Sequence, residues 1–343
     1  MSKVLVTGGA GFIGSHLCEV LLKEGKEVFV LDDLSTGRLE NIAHLQDHDA
    51  FHFIEGSILD FPLLESLVKK ADSIFHLAAV VGVQRIIEIP VDSIEINVLG
   101  SHNILTLAAR YNKLCLITST SEVYGKSTKQ PFTEDDDVVY GPTTKSRWSY
   151  ACSKAIDEFL GLAYHHAQNL PVVIARLFNT TGPRQTGRYG MVLPRFVDQA
   201  LSEQPITVFG SGRQTRCFAD VNDSVRALVL LADHPGAVGQ VFNVGNPEEV
   251  SIGDLAKLVK KLARSESEIR LVPYDEAYQP GFEDMDRRVP NIQKIARLGF
   301  APRIKLREIV QRVIASKQRE LAPLEIPVTV DLRPHPVRAG VAE

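Results

Sequence analysis

The stretch VLVTGGAGFIGSHL (residues 4–17) sets three glycines, Gly8, Gly11 and Gly14, between an apolar run and a segment whose apolar residues have helical spacing. Glycines at these points allow a tight turn, a close approach of the backbone to a diphosphate, and close packing of the helix on the strand. The helix N-terminus offers free backbone N–H groups to an anion. The stretch therefore predicts the strand, turn and helix that open a dinucleotide-binding fold.

Short apolar runs alternate with helical stretches over the first 180 residues. After the run at 4–6 they lie at residues 28–31, 51–54, 74–77, 114–117 and 172–174. Strands that are apolar throughout, rather than at every second residue, are typical of a parallel sheet covered by helices on both faces. The predicted fold class is α/β, a doubly wound parallel (Rossmann) sheet with a smaller, interleaved α/β substrate-binding lobe.

The alternating pattern breaks after the Gly-Pro-Arg at 182–184. We expect a dinucleotide-binding domain over residues 1–180 with returning segments near 212–250, a substrate lobe over 181–320, and an irregular tail over 321–343, where prolines recur without a period. For the second part we predict helices at 193–204, 252–263 and 306–320. A short apolar run lies at 206–209, and a strand is predicted at 241–245.

The composition excludes several classes of protein. A formal net charge of −4 with scattered basic residues gives no nucleic-acid surface. The four cysteines lie far apart without paired metal-ligand spacing, so we expect no disulfide framework, no metal site and a reducing cytoplasm. Three residues precede the first apolar run, and no apolar segment reaches the roughly 18 residues of a membrane span. The sequence predicts neither a signal peptide nor a membrane partner.

The second predicted strand ends in two acids, Asp32 and Asp33, 18 residues beyond Gly14. An acid at this strand end accepts hydrogen bonds from the ribose hydroxyls of NAD and repels the 2′-phosphate of NADP. The predicted cofactor is therefore NAD.

A tyrosine and a lysine, Tyr150 and Lys154, open a further stretch with helical spacing. Residues four apart share a helix face, so the phenol and the ammonium can point into one cleft. A cation held there, together with a positively charged nicotinamide, would lower the pKa of the phenol and make it a usable base.

These motifs together resemble one protein family. TGGAGFIG, the HLAA at 76–79, the hydroxyl cluster of TSTSEVYG at 118–125 and YxxxK are similar to the extended short-chain dehydrogenase/reductases that act on nucleotide sugars, over about residues 1–320. The resemblance implies that Tyr150 is the acid and base at a sugar hydroxyl, that Lys154 positions the nicotinamide ribose, and that Thr120 completes the hydrogen bonding. Dimerisation through the Tyr150 helix and the helix near 98–111 is also implied.

The motifs and the resemblance assign further residues to NAD. Besides the glycines, the two acids, Tyr150 and Lys154, the expected cofactor-binding residues are Phe12, Ile13, Ser35, Thr36, Gly37, Ser57, Ile58, Leu77, Ala78, Ala79 and Asn97.

Glu122 directly follows the hydroxyl cluster, where the resembling simple 4-epimerases carry a small residue. An acid there implies further chemistry. Sugar 4,6-dehydratases use a glutamate at C5, and UDP-glucuronate decarboxylases have the same Thr-Ser-Glu string, as does the guanosine-sugar branch. Dehydratases that read Thr-Asp-Glu have an acid where this chain has Ser121. The cluster alone does not separate these branches.

Four other segments favour the decarboxylases. GPTTKSRWSYACSK (141–154), RLFNTTGPR (176–184), QTRCFADVND (214–223) and GFEDMDRRVPN (281–291) resemble theirs, and Arg288 matches an arginine beside the sugar carboxylate. A guanidinium is a bidentate partner for a carboxylate. The loop at 79–83 instead resembles that of 4-epimerases. The expected catalytic residues are Thr120, Ser121, Glu122, Tyr150, Lys154 and Arg288. The expected substrate-binding residues are Val81, Gly82, Glu122, Asn179, Arg188, Val192, Arg195, Thr207, Val208, Phe209, Arg216, Phe282 and Arg288.

The function implied is NAD-dependent oxidation of C4 of UDP-glucuronate, loss of CO₂ from the β-keto acid, and reduction to UDP-xylose or release of the 4-ketopentose. A 4-epimerase acting on UDP-glucuronate or UDP-glucose shares the first step and is the first alternative. A 4,6-dehydratase is the second alternative, and a non-catalytic NAD-binding sensor of the same fold is the third.

Overall fold

The computed structural model describes residues 1–82, 86, 88–187, 191–277 and 287–321. Its strands, in chain order, are β1 (Lys3–Thr7), β2 (Glu27–Asp32), β3 (Phe51–Glu55), β4 (Ser73–His76), β5 (Leu114–Thr120), β6 (Val172–Leu177), β7 (Thr180–Thr181), β8 (Ile206–Phe209), β9 (Thr215–Cys217), β10 (Ala219–Asp220), β11 (Gln240–Val244), β12 (Glu249–Ser251) and β13 (Ile269–Val272). Its α-helices are α1 (Phe12–Lys23), α2 (Phe61–Lys70), α3 (Pro90–Arg110), α4 (Ser149–Gln168), α5 (Val192–Leu201), α6 (Val221–Asp233), α7 (Ile252–Ala263), α8 (Tyr274–Ala277), α9 (Gln293–Ala296) and α10 (Leu306–Leu321).

The main sheet has seven strands in the order β11-β6-β5-β4-β1-β2-β3, and each neighbouring pair is parallel. The order reverses at β1, which lies between β4 and β2, so the carboxyl ends of these strands open onto the crevice where this fold binds ligands. The doubly wound sheet predicted from the sequence is confirmed, with six of its strands where the apolar runs lie. The predicted strand at 241–245 is β11, which extends the same sheet beside β6.

Successive residues of one strand point into two different cores. Val4 and Val6 of β1 belong to a core with α1 and α6, whereas Leu5 faces the other side, with α2 and α3. Helices therefore cover both faces of the sheet, which explains why its strands are apolar throughout.

The second lobe has its own core, built by α5, α7 and α10 against β8. The strand β8 pairs in parallel with β13, and β9 pairs antiparallel with β12. The helix expected at 193–204 ends earlier, because Glu203 has the left-handed backbone conformation with φ 51°. The predicted irregular tail lies outside the described residues, apart from Leu321.

Among the described residues, no helix combines the length and apolar character that crossing a bilayer requires. The same residues contain no group of three or more histidine, cysteine or acidic side chains arranged to hold a metal ion.

Candidate active site

A cleft of about 470 Å³ runs along the carboxyl ends of the sheet strands and is closed by the second lobe. Its volume lies in the range of small-molecule sites. The glycine loop lines one end, the hydroxyl cluster after β5 lines the middle, and residues of α5 and β8 line the far side. One cleft therefore brings together most of the residues that the sequence assigns to cofactor, catalysis and substrate.

The glycine loop leaves no room for side chains. A Cβ on Gly14 would lie 2.1 Å from the carbonyl oxygen of Gly8, and one on Gly8, whose φ is 74°, would lie 2.8 Å from the backbone N of Ala78. The helix α1 begins after Gly11 without a side-chain cap. Its first N–H groups are therefore available to an anion, as a diphosphate requires.

Asp32 closes this end of the cleft. Its carboxylate accepts hydrogen bonds from the backbone N–H groups of Ala10 and Leu34, both at 2.9 Å, and so ties the glycine loop to the end of β2. Burial raises the pKa of Asp32, and the two backbone hydrogen bonds oppose that rise. Asp33 lies beside it on the cleft wall. Two acids at this end suit a ribose with free hydroxyls and disfavour a phosphate.

The structure brings most of the predicted cofactor residues to the cleft surface. Those that line it are Gly8, Gly11, Phe12, Ile13, Gly14, Asp32, Asp33, Ser35, Thr36, Ile58, Leu77, Ala78, Ala79, Tyr150 and Lys154. Three others, Gly37, Ser57 and Asn97, are not among the lining residues. Asn97 is buried and accepts a hydrogen bond from the N–H of Val80 at 2.8 Å, so it holds the loop that forms the wall.

The two residues predicted to be the catalytic pair lie at the start of α4. Tyr150 and Lys154 line the cleft together with Thr120, the last residue of β5. Burial raises the pKa of the Tyr150 phenol, the charge of Glu122 adds to that rise, and the Thr120 hydroxyl opposes it. The Nζ of Lys154 donates a hydrogen bond of 2.7 Å to Asp157. The lowered phenol pKa expected from the sequence requires the positively charged nicotinamide as well as the lysine, and stays a prediction.

Glu122 is held between two arginines. The Nη1 of Arg288 donates to one carboxylate oxygen at 2.7 Å, and the Nη1 of Arg147 lies 2.6 Å from the other. All three side chains are at most 15% exposed. Burial alone would raise the pKa of Glu122, but Arg288 and Arg147 outweigh it and lower the pKa to about 2. The cluster therefore places two guanidiniums and one ionised carboxylate on the cleft wall.

Arg147 was not among the predicted site residues. It lies in a short 3-10 turn, Ser146–Trp148, directly before α4, with its guanidinium 5.3 Å from the centre of the Trp148 ring. The packing of Trp148 against Gly141, where a Cβ would lie 2.2 Å from the indole nitrogen, fixes this turn. The sequence feature that could have identified Arg147 is the Arg147–Trp148 pair, which lies just ahead of Tyr150.

The predicted substrate residues divide into three groups. Those that line the cleft are Val81, Gly82, Glu122, Asn179, Val192, Arg195, Phe209, Arg216 and Arg288, and Ser121, predicted as catalytic, lines it too. Thr207 and Val208 do not: the hydroxyl of Thr207 accepts a hydrogen bond from Gln199 at 2.8 Å, and Val208 is fully buried in the core of the second lobe. Arg188 and Phe282 lie outside the described residues.

Two contacts shape the far side of the cleft. The guanidinium of Arg195 lies 3.8 Å from the centre of the Phe209 ring, a cation–π geometry that fixes both side chains. Asn179 has a φ of 26° and donates a hydrogen bond of 3.0 Å to the carbonyl of Cys217. Arg184, by contrast, binds Ser15 and Glu19 on α1, and is not among the lining residues.

Comparison with known proteins gives consistent matches over almost the whole chain. A family model described as GDP-mannose 4,6 dehydratase matches residues 5–313. The chain is 42% identical over 315 residues to the UDP-N-acetyl-alpha-D-glucosaminuronate decarboxylase of Bacillus cytotoxicus, covering 90% of this chain and 97% of that protein. It is 38% identical over 316 residues to UDP-glucuronic acid decarboxylase 1 of Arabidopsis thaliana, covering 91% and 69% respectively.

A solved structure shares the fold. The UDP-glucuronic acid 4-epimerase of Bacillus cereus, in complex with UDP-glucuronic acid and NAD, matches with a TM-score of 0.84 at 28% identity, covering 93% of this chain and 99% of that chain.

Proposed function

The chain belongs to the GDP-mannose 4,6-dehydratase family of extended short-chain dehydrogenase/reductases, and from this premise we propose that it is an NAD-dependent decarboxylase of a UDP-hexuronate. UDP-glucuronate is the first candidate substrate. The Bacillus cytotoxicus relative, named for a substrate with an acetamido group, makes UDP-N-acetylglucosaminuronate the second.

The observation that carries the proposal is the buried cluster of Arg147, Glu122 and Arg288. Two guanidiniums flank one carboxylate, and all three side chains line the cleft. A neutral hexose offers no anionic group to these arginines. The carboxylate of a hexuronate offers one, and a guanidinium binds a carboxylate through paired hydrogen bonds.

The residues present fit NAD. The glycine loop has no room for side chains, so a diphosphate would lie directly against its backbone. The acids at the end of β2 suit the adenosine ribose. When bound, the nicotinamide supplies the hydride acceptor, and later the hydride donor, for C4 of the sugar. Lys154 and Tyr150 lie on the wall where that end of the dinucleotide belongs, next to the hydroxyl cluster.

The side chains of this cleft handle the proton and the developing charge. Tyr150 accepts the proton of the C4 hydroxyl as its phenolate, which a positively charged nicotinamide beside it would favour, as that carbon is oxidised to a ketone. The ketone stands β to the carboxylate, so the bond from C5 to the carboxyl carbon breaks and its electron pair moves onto the ketone oxygen. The phenol of Tyr150 and the hydroxyl of Thr120 then donate hydrogen bonds to that oxygen. A proton from water at C5, and reduction at C4 with the Tyr150 proton returned to the C4 oxygen, complete the reaction to a UDP-pentose.

Glu122 serves as the counter-ion that positions the two arginines. With a pKa near 2 the carboxylate stays ionised at neutral pH, so it has no proton to give to C5. It lies between the guanidiniums of Arg147 and Arg288 and so fixes their positions on the cleft wall, where they bind the substrate carboxylate. The two arginines also oppose rotation of the sugar ring, because they hold the substrate carboxylate at one end of the cleft.

The alternative is 4-epimerisation of UDP-glucuronate, which uses the same carboxylate site and the same first step. The likeness to the Bacillus cereus 4-epimerase supports it. The decarboxylase relatives are 37–42% identical to this chain, against 28% for that enzyme, and this favours loss of CO₂. Water elimination from a neutral hexose makes no use of the arginine cluster, and a sensor makes no use of Tyr150 and Thr120.

We further propose a homodimer in the cytoplasm. Two helices that pack together, α3 and α4, expose large apolar side chains, among them Val91, Leu99, Ile156 and Phe159, and Phe159 is 70% exposed. A second copy of the same two helices would cover this surface. All four cysteines are free thiols, which suits a reducing compartment.

Product analysis with three nucleotide sugars tests the function. Purified protein is incubated with NAD⁺ and UDP-glucuronate, UDP-N-acetylglucosaminuronate or UDP-glucose, and the products are followed by mass spectrometry and proton NMR. We expect loss of CO₂ from at least one of the two acids and no change in UDP-glucose. Formation of UDP-galacturonate at unchanged mass would instead establish the epimerase.

A further inference from the structure

The catalytic lysine is one half of a fully buried ion pair. Lys154 and Asp157 are three apart on α4, so they share a face, and their charged atoms are 2.7 Å apart. The side chain of Lys154 is 3% exposed and that of Asp157 is 0% exposed. A carboxylate with no contact to solvent is rare unless it has a charged partner. The ion pair with Lys154 therefore accounts for the burial of the Asp157 carboxylate.

A closed polar network lies behind the pair. Burial raises the pKa of Asp157, and Lys154 and the Ser101 hydroxyl oppose that rise. Ser101 in turn lies 3.0 Å from the Nε2 of His76, whose Nδ1 lies 2.8 Å from the Thr7 hydroxyl. Burial, with a contribution from Lys154, lowers the pKa of His76 to about 3, so the imidazole is neutral. Among the described residues of this network, Asp157 carries the negative charge that pairs with the ammonium.

The Lys154–Asp157 ion pair lies close to the place that the nicotinamide must occupy. The hydride and the hydroxyl proton leave the same carbon–oxygen unit of the sugar, so the nicotinamide must lie close to Tyr150, one helical turn from Lys154. A nicotinamide is positively charged when oxidised and neutral when reduced. Any fixed charge in this wall therefore favours one redox form of the cofactor over the other.

We propose that Asp157 is a positioning residue that neutralises Lys154 beneath the nicotinamide and so keeps the oxidised cofactor as the bound resting form. The inference rests on the proposed function, whose first step needs NAD⁺. With Asp157 present, the wall carries +1 from the lysine and −1 from the aspartate. Without that carboxylate an uncompensated ammonium faces the cofactor and favours NADH, which would leave the enzyme in the wrong form for a new substrate.

The test compares the dissociation constants of NAD⁺ and NADH, each measured by calorimetric titration. Asp157→Asn keeps the shape of the side chain and removes its charge. We expect the ratio of the NAD⁺ constant to the NADH constant to rise about tenfold. Lys154→Gln leaves the carboxylate alone and should lower the ratio, and the double variant, neutral again, should return it close to the wild-type value.

The outcomes separate the inference from the function. A purely structural role for Asp157 would weaken both redox forms equally in Asp157→Asn, and an unchanged ratio overturns the proposal while NAD binding stands. If Asp157→Asn does not fold, Lys154→Gln and the double variant still decide, because the proposal requires opposite charges to cancel. A wild-type protein that binds neither form would overturn the proposed function itself.

Asp136→Asn is the matched control. Asp136 is also buried and paired with a lysine, Lys129, but it is held by Thr133 in a loop away from the cleft. Its loss should leave the NAD⁺ to NADH ratio at the wild-type value. A shift there as large as that of Asp157→Asn would mean that loss of any buried carboxylate perturbs cofactor binding.

Discussion

Replacing Arg147 by glutamine should weaken the binding of UDP-glucuronate far more than the binding of UDP-glucose. The change removes the guanidinium that lies 2.6 Å from Glu122 and leaves Glu122 paired with Arg288 alone. The substrate carboxylate would then lose one of the two guanidiniums of the cluster. A hydrogen bond to a charged group is worth about 2 kcal/mol, which corresponds to about a 30-fold loss of affinity for the acid.

Calorimetric titration of the two nucleotide sugars, in the presence of NAD⁺, measures the difference directly. Arg287→Gln is the control, because Arg287 is 51% exposed and pairs with Glu249 outside the cluster, and its loss should change neither affinity. An equal loss for both sugars in Arg147→Gln would refute the reasoning. Arg147 would then support the fold or the nucleotide rather than the carboxylate.

Three further predictions concern catalysis, acid stability and assembly. Tyr150→Phe should lose about 10³-fold in turnover with NAD⁺ binding retained, as shown by single-turnover kinetics and titration, whereas Tyr164→Phe on the same helix should keep its activity. The pKa of Glu122 is lowered from 4.5 to about 2, so its ionised form adds about 3 kcal/mol to stability above pH 5, and this is lost as the pH falls toward 2. Urea unfolding should therefore show Glu122→Gln well below the wild type at pH 7 and closer to it at pH 3, while a gap independent of pH would contradict the assignment. Phe159→Asp should give a monomer in light scattering, and Leu271→Asp, at a 60% exposed position of β13, should not.

The glycine loop and the sheet could be predicted because their signals are local. Three glycines between an apolar run and a helical pattern, followed by an acid at the next strand end, specify one turn and its ligand. The apolar runs marked six strands of the sheet, since burial on both faces needs continuous apolar sequence. The short pairs β7 with β10 and β9 with β12 were missed, because two or three residues give no period and their partners lie far along the chain.

The arginine cluster could be predicted only in part. Glu122 and Arg288 stood out through the family motifs, but they are 166 positions apart, and nothing in their spacing shows that they touch. Arg147 lies in the quoted segment 141–154 but was not predicted as a site residue, because its burial comes from the packing of Trp148, which the sequence does not show. Asp157, in contrast, could have been predicted from its position. An acid three residues after Lys154 on a helix lies on the same helix face as the lysine.

The measurement that tests the account most directly uses UDP-glucuronate labelled with ¹³C at its carboxyl carbon, with NAD⁺ far below the substrate concentration. Carbon-13 NMR follows the label in real time. The account predicts that the label leaves the sugar as CO₂ and bicarbonate while a UDP-pentose accumulates over many turnovers per NAD⁺, and that Arg288→Gln slows this release. Label that stays on the sugar while the C4 epimer appears would contradict it.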